Sequence, residues 1–147
     1  MPTRSISPKE AQALLAQKAG HVYLDVRTVA EFAAGHPTSA VNVPLVEPDP
    51  SGMMALNPDF LRVVRAHFAE DAKLLVGCMS GGRSLKAVEM LEQAGFREVI
   101  NVRCGFGGER DARGQVVEPG WAELGLPVEQ ESRTGASYET LRSKIHR

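Results

Sequence analysis

The chain is short of cysteine. Its two, Cys78 and Cys104, are too few for a disulfide framework, and neither stands in a C-x-x-C pair of the kind that suggests zinc or thioredoxin chemistry. Four histidines, His21, His36, His67 and His146, are dispersed with no ligand spacing, which leaves a metal site without support. An excess of charge is also missing. Seventeen Lys plus Arg against eighteen Asp plus Glu give a formal net charge of −1, so nothing advertises nucleic acid or an anionic membrane as partner. No run approaches the roughly 18 apolar residues of a membrane span, and the start MPTRSISPKEAQ has no apolar signal core; the expectation is a soluble cytoplasmic protein. There is no internal repeat. What is present, 147 residues of which 43% are hydrophobic, suits a single compact core. That core is expected to end near Leu126-Pro127, giving a domain over 1–127 and a polar tail over 128–147. Within the tail, Tyr138, Leu141 and Ile145 could line one side of a short helix, either frayed or docked.

Helix and strand signals alternate along the domain. Ser7-Pro8-Lys9-Glu10 carries an N-cap serine, a first-turn proline and a glutamate three residues on, and Gly20 is the stop. The run from His21 to Val26 predicts a strand, and Thr28-Val29-Ala30-Glu31 a second capped helix ending near Gly35. Ala40 to Val43 reads as a strand, Glu47 to Met53 as an irregular loop, and Asn57-Pro58 as the start of a helix carrying Val63, Val64 and Phe68. Lys73 to Gly77 is a further strand. Leu85, Val88 and Leu91 mark one helix face terminated by Gly95, and Val99 to Val102 is the last strand. The alternation predicts an α/β fold with a mainly parallel sheet and helices on both faces. Ligands in such sheets sit beyond the carboxyl ends of strands, where Gly77 to Ser84 falls.

That stretch, GCMSGGRS, concentrates chemistry. Alone, a cysteine ending a strand reads as a small buried hydrophobe. Two serines, two glycines, an arginine and a helix start within six residues reverse that reading for Cys78. A thiol placed there faces converging amides and the positive end of a helix dipole, surroundings that favour the thiolate. Gly81 and Gly82 permit an inward-facing nest of N–H groups from Met79 to Ser84, Ser80 and Ser84 add hydroxyls, and Arg83 adds a fixed charge that either reaches an anion or braces the loop.

The stretches YLDVRTVAEFAAGHPTSAVNVP and LLVGCMSGGRSLKAVEMLEQAGF resemble single-domain rhodaneses, sulfurtransferases, and among them the short plant and bacterial members with a C-x-S-G-G-R-S loop. The resemblance runs from about Ser7 to Pro127 and implies a five-stranded sheet, a persulfide on Cys78 between two half-reactions, and no metal or organic cofactor. It implies thiosulfate or a persulfide as small-molecule donor, and as acceptor a thiol, cyanide or an acceptor protein. Asp25, Arg27, Glu31 and His36 become scaffold: Arg27 is expected to pair with Glu31, Asp25 to tie neighbouring loops, and His36 to be a hydrogen-bonded turn residue. Four residues separate Cys78 from Arg83, where phosphatases on the same fold resemble C-x5-R with a wider loop, which favours sulfur transfer.

Alternatives stay open. Some relatives are partner-dependent sulfur carriers or regulatory modules, and a Cys-based phosphatase or arsenate reductase is a third class. Cys104 follows the last strand and is a candidate thiol to resolve the persulfide as a disulfide, against an ordinary loop cysteine. Gly105-Phe106-Gly107-Gly108 hints at a dinucleotide fingerprint, but Arg110 stands where its third glycine would fall. The polar insertion Glu109 to Gly120 delays Trp121 relative to the resembled family and touches the pocket rim.

Overall fold

The computed structural model describes residues 4–17, 19–79, 82–130 and 136–143. Strand β1 (Ser5–Ile6) leads into helix α1 (Pro8–Ala16), where the capping box forms as its sequence dictates. The Ser7 hydroxyl accepts from the Glu10 N–H at 3.1 Å, and Glu10 accepts the Ser7 N–H at 2.9 Å. Such caps contribute about 1 kcal/mol by satisfying donors that the first helical turn leaves free. After β2 (His21–Asp25), Thr28 caps α2 (Val29–Ala34) in the same way. Then come β3 (His36–Pro37), β4 (Val41–Asn42) and the hairpin of β5 (Val46–Pro48) and β6 (Met54–Leu56). The loop expected from Glu47 to Met53 is found over 49–53 as the connection of this hairpin, with Glu47 and Pro48 drawn into β5. Its turn is closed by the Asp49 carboxylate, which accepts the N–H groups of Ser51 and Met53.

Helix α3 (Phe60–His67), β7 (Lys73–Gly77), α4 (Gly82–Gln93) and β8 (Glu98–Val102) follow. Gly95 ends α4 with φ +105°, a backbone shape that glycine takes without steric penalty, and the Phe96 N–H returns to the Leu91 carbonyl at 3.0 Å. The remaining elements are the ribbon of β9 (Glu109–Arg110) and β10 (Val116–Glu118), then β11 (Val128–Glu129) and α5 (Tyr138–Ser143).

Five strands form the central sheet in the order β1-β8-β7-β2-β4, and every pairing is parallel. Both faces are therefore covered, as an all-parallel sheet requires. On one face Leu24, Leu74, Val76 and Val99 meet Phe60, Val63, Val64, Val88 and Leu91 of α3 and α4. On the other, Tyr23, Leu75 and Ile100 meet Ala11, Phe32 and Trp121. Alternation along β7 thus feeds two cores.

The core does not stop at Pro127. β11 pairs antiparallel with β3, and Tyr138 and Leu141 of α5 join the α3/α4 core. The Tyr138 hydroxyl accepts from Asn57 Nδ2 at 3.0 Å, and the His67 ring bonds the Leu141 carbonyl at 2.8 Å. Of the two states left open for the segment, the docked one is found, because α3 offers a face on which two apolar residues of α5 are buried. Ile145 lies outside the described residues.

Candidate functional site

Register brings the site together. Asp25 stands opposite Gly77 and Asn42, and Asn101 opposite Val76 and Ser5, so four strands deliver their polar ends to one edge. Cys78 follows Gly77 at that edge and is 1% exposed. Gly77 is fixed by its neighbour: a Cβ there would overlap the Tyr23 hydroxyl. Across the loop, α4 starts at Gly82 and aims its first turn at the sulfur. The Ser84 N–H donates to Cys78 Sγ at 3.3 Å, and the Cys78 thiol lies 3.5 Å from Ser84 Oγ. An N–H at a helix start is one of the donors that the helix itself cannot satisfy. Ser80 and Gly81, expected to line the loop, lie outside the described residues.

A second turn clasps the cysteine from the side. The Phe106 N–H donates to the Cys78 carbonyl and the Gly107 N–H to the Met79 carbonyl, both at 2.7 Å. Gly105 has φ +47°, and a Cβ on it would overlap the Cys78 carbonyl, so contact this close requires glycine. The glycines at 105 and 107 thus serve the cysteine loop and not a dinucleotide.

Arg83 is held by a carboxylate. Its guanidinium forks onto Glu31, with Nη1 to Oε1 at 2.8 Å and Nη2 to Oε2 at 3.0 Å. Oε1 also accepts the N–H and hydroxyl of Thr28, so one carboxylate caps α2 and ties α2 to α4. Burial alone would raise the Glu31 carboxyl, but the hydrogen bonds from Arg83 and Thr28 outweigh it and hold it at about 2. The same bonds from Glu31 push Arg83 above its ordinary value against the opposing effect of burial.

The expected Arg27–Glu31 pair is therefore corrected. Arg27 folds back two residues onto Asp25, with Nε to Oδ1 at 3.0 Å and Nη2 to Oδ2 at 2.8 Å, and also donates to the Gly35 carbonyl at 2.6 Å. Its guanidinium lies 4.4 Å over the Phe106 ring. Both members of this ion pair are buried, and a buried charge persists only where its partners are close and complete. Asp25 does tie loops together, through Arg27 and through its own carbonyl, which accepts from Asn42 Nδ2 at 3.0 Å. His36, expected in a turn, lies instead in β3, fully buried and stacked on Phe32 at 3.6 Å between centroids. Its ring nitrogens face the Phe32 carbonyl at 2.7 Å and the Glu129 carboxylate at 3.2 Å.

Cys104 is buried with φ +67°, and burial, with Glu118 second, pushes its thiol up to about 11. Three residues at the site carried no functional reading in the sequence. Tyr23 packs against Gly77, and Asn42 binds the Asp25 and Arg27 carbonyls. Asn101 accepts the Ser84 hydroxyl at 2.5 Å. The available signal for Asn101 was a lone amide within the apolar run VINV.

A buried cysteine at the carboxyl end of a parallel sheet, met by the N-terminus of the following helix, defines the class as an α/β protein with a cysteine loop at its sheet edge. The rhodanese-like domain model matches residues 7–108, and the chain belongs to that family. It is 44% identical over 124 residues to Thiosulfate sulfurtransferase 16, chloroplastic, of Arabidopsis thaliana, covering 84% of this chain and 91% of that protein. Thiosulfate sulfurtransferase 18 of the same plant is 42% identical over 104 residues, 69% of this chain and 74% of its own length. Among solved structures, that of Rv0390 from M. tuberculosis superposes with a TM-score of 0.73 at 30% identity, covering 89% of this chain and 100% of that one.

Proposed function

We propose that the protein moves a sulfane sulfur from thiosulfate or a persulfide donor to a thiophilic acceptor through a persulfide on Cys78. The observation that carries this reading is the Ser84 N–H aimed at Cys78 Sγ at 3.3 Å from the start of α4. The relatives named as thiosulfate sulfurtransferases support it. In the first half-reaction the Cys78 sulfur, as thiolate, attacks the outer sulfur of thiosulfate. A new S–S bond forms, the donor's own S–S bond breaks, and its electron pair leaves with sulfite. The terminal sulfur of the persulfide carries the negative charge, which N–H donors of the loop are suited to stabilise. In the second, an acceptor thiolate or cyanide bonds that terminal sulfur, and the Cys78 thiolate departs. Arg83, forked onto Glu31, is engaged in bracing the loop, which favours sulfur transfer over a phosphatase role in which arginine would grip the phosphate.

Incubation with thiosulfate followed by intact and peptide mass measurement tests the proposal. One added sulfur on Cys78, ping-pong kinetics with cyanide and loss of both in Cys78→Ser are expected. Transfer retained in Cys78→Ser overturns it. A stable persulfide that turns over only when a partner protein is added assigns the chain to the carrier alternative.

A further inference from the structure

Asn101 interrupts the apolar run Val99–Val102 in β8, between β1 and β7, and is 4% exposed. A primary amide buried there is costly unless both of its ends are paired. Both are. Oδ1 accepts the Ser84 hydroxyl at 2.5 Å, and Nδ2 donates to Ser5 Oγ at 3.2 Å.

The consequence lies at the sulfur. A hydroxyl has one hydrogen, and an amide oxygen can only accept. With its hydrogen held by Asn101, Ser84 Oγ turns lone pairs toward Cys78 Sγ, 3.5 Å away, and accepts the S–H of the resting thiol. The donor that Ser84 offers the sulfur is its backbone N–H. A hydroxyl free to rotate would instead give its hydrogen to the ionised sulfur, because hydrogen bonds to a charged partner are the stronger ones.

We propose that Asn101 is a positioning residue that fixes the direction of the Ser84 hydroxyl proton and so withholds it as a donor from the Cys78 sulfur. The inference rests on Cys78 being the reacting sulfur of the proposed transfer. Other groups lie near Cys78: Tyr23 from β2 and Arg83 from α4 interact with it through charge, and the Phe106 N–H of the turn 104–108 binds its carbonyl. None of them is altered by a substitution at Asn101, so a displaced pH profile reads the Ser84 proton.

The test is the pH dependence of iodoacetamide alkylation at Cys78, followed by peptide mass so that Cys104 is counted separately. It is run on the wild type, Asn101→Leu, Ser84→Ala and the double variant. Asn101→Leu should displace the curve to lower pH, raising the rate on its acidic limb about three- to tenfold, the scale of one hydrogen bond to a charged group. In the Ser84→Ala background the displacement should vanish. An unmoved curve, or an equal displacement without the serine hydroxyl, overturns the proposal. Should Asn101→Leu fail to fold, Asn101→Asp keeps the acceptor and adds negative charge, so its curve should move to higher pH; a shift the other way, or none, is again contrary. Alkylation does not depend on turnover, so absence of a persulfide after thiosulfate would count against the transfer reading alone.

Discussion

The Arg83 guanidinium binds both oxygens of Glu31, at 2.8 and 3.0 Å, and by doing so joins the first turn of α4 to the cap of α2. The residue directly after the glycine pair of the cysteine loop thereby serves as an anchor. The loop is held from three sides: by this ion pair, by the Ser84–Asn101 bond and by the turn 104–108.

Replacing Glu31 with Gln isolates the charge of that anchor, because glutamine still serves as the third residue of a capping box. With side chains 26% and 29% exposed, the pair should contribute about 1 kcal/mol, read as a lower Tm in Glu31→Gln at neutral pH. The folded-state carboxyl is depressed from 4.5 to about 2, so its contribution is full above 4.5 and is lost as pH falls through the window down to about 2. The Tm gap between wild type and variant should close over that window. A gap independent of pH would show that the charge is not what anchors Arg83.

Gly77→Ala should be poorly tolerated, since its Cβ overlaps the Tyr23 hydroxyl in a fully buried setting. Overpacking of this kind costs about 1–3 kcal/mol. Tyr23→Phe removes the oxygen, so the double variant should recover part of the loss in urea unfolding. Equal loss in both backgrounds would place the clash elsewhere.

Cys104→Ser should leave sulfur loading of Cys78 unchanged. A thiol pushed up to about 11 stays protonated near neutrality, and a protonated thiol is a poor nucleophile. Alkylation of Cys104 should accordingly keep rising as pH approaches 11. A Cys78–Cys104 disulfide formed in the wild type at the expense of the persulfide, with the persulfide accumulating in Cys104→Ser, would restore it as the resolving thiol.

Leu141→Ala probes the docked C-terminal segment. Leu141 is 5% exposed and packs with the α3/α4 core, so truncation should cost about 2–4 kcal/mol in denaturant unfolding. A segment that contributes nothing to the core would show no change.

Much of this architecture is local and was therefore legible. Ser7/Glu10 and Thr28/Glu31 form the capping boxes that their spacing predicts, Gly95 ends α4, and Lys73 to Gly77 forms the strand that delivers Cys78. Each depends on residues within a turn or two of one another. The misreadings share the opposite property. Glu31 was expected to take Arg27 but is held by Arg83, 52 positions away, a pairing that depends on how α2 and α4 pack. β1 is two residues long and exists because β8 has an edge to pair with. The segment after Pro127 looks like a tail by composition, yet α3 supplies the face that buries Tyr138 and Leu141.

The sequence by itself determined the alternation of strands and helices and the chemistry concentrated between Gly77 and Ser84, because periodicity, caps and glycine placement act over a few residues. Only the tertiary structure decided what surrounds the sulfur. Tyr23 behind Gly77, the turn 104–108 beside it and Asn101 beyond Ser84 are brought there by parallel pairing of strands distant in the chain. Such pairing is set by the burial of two cores at once, a condition that no single stretch of residues contains.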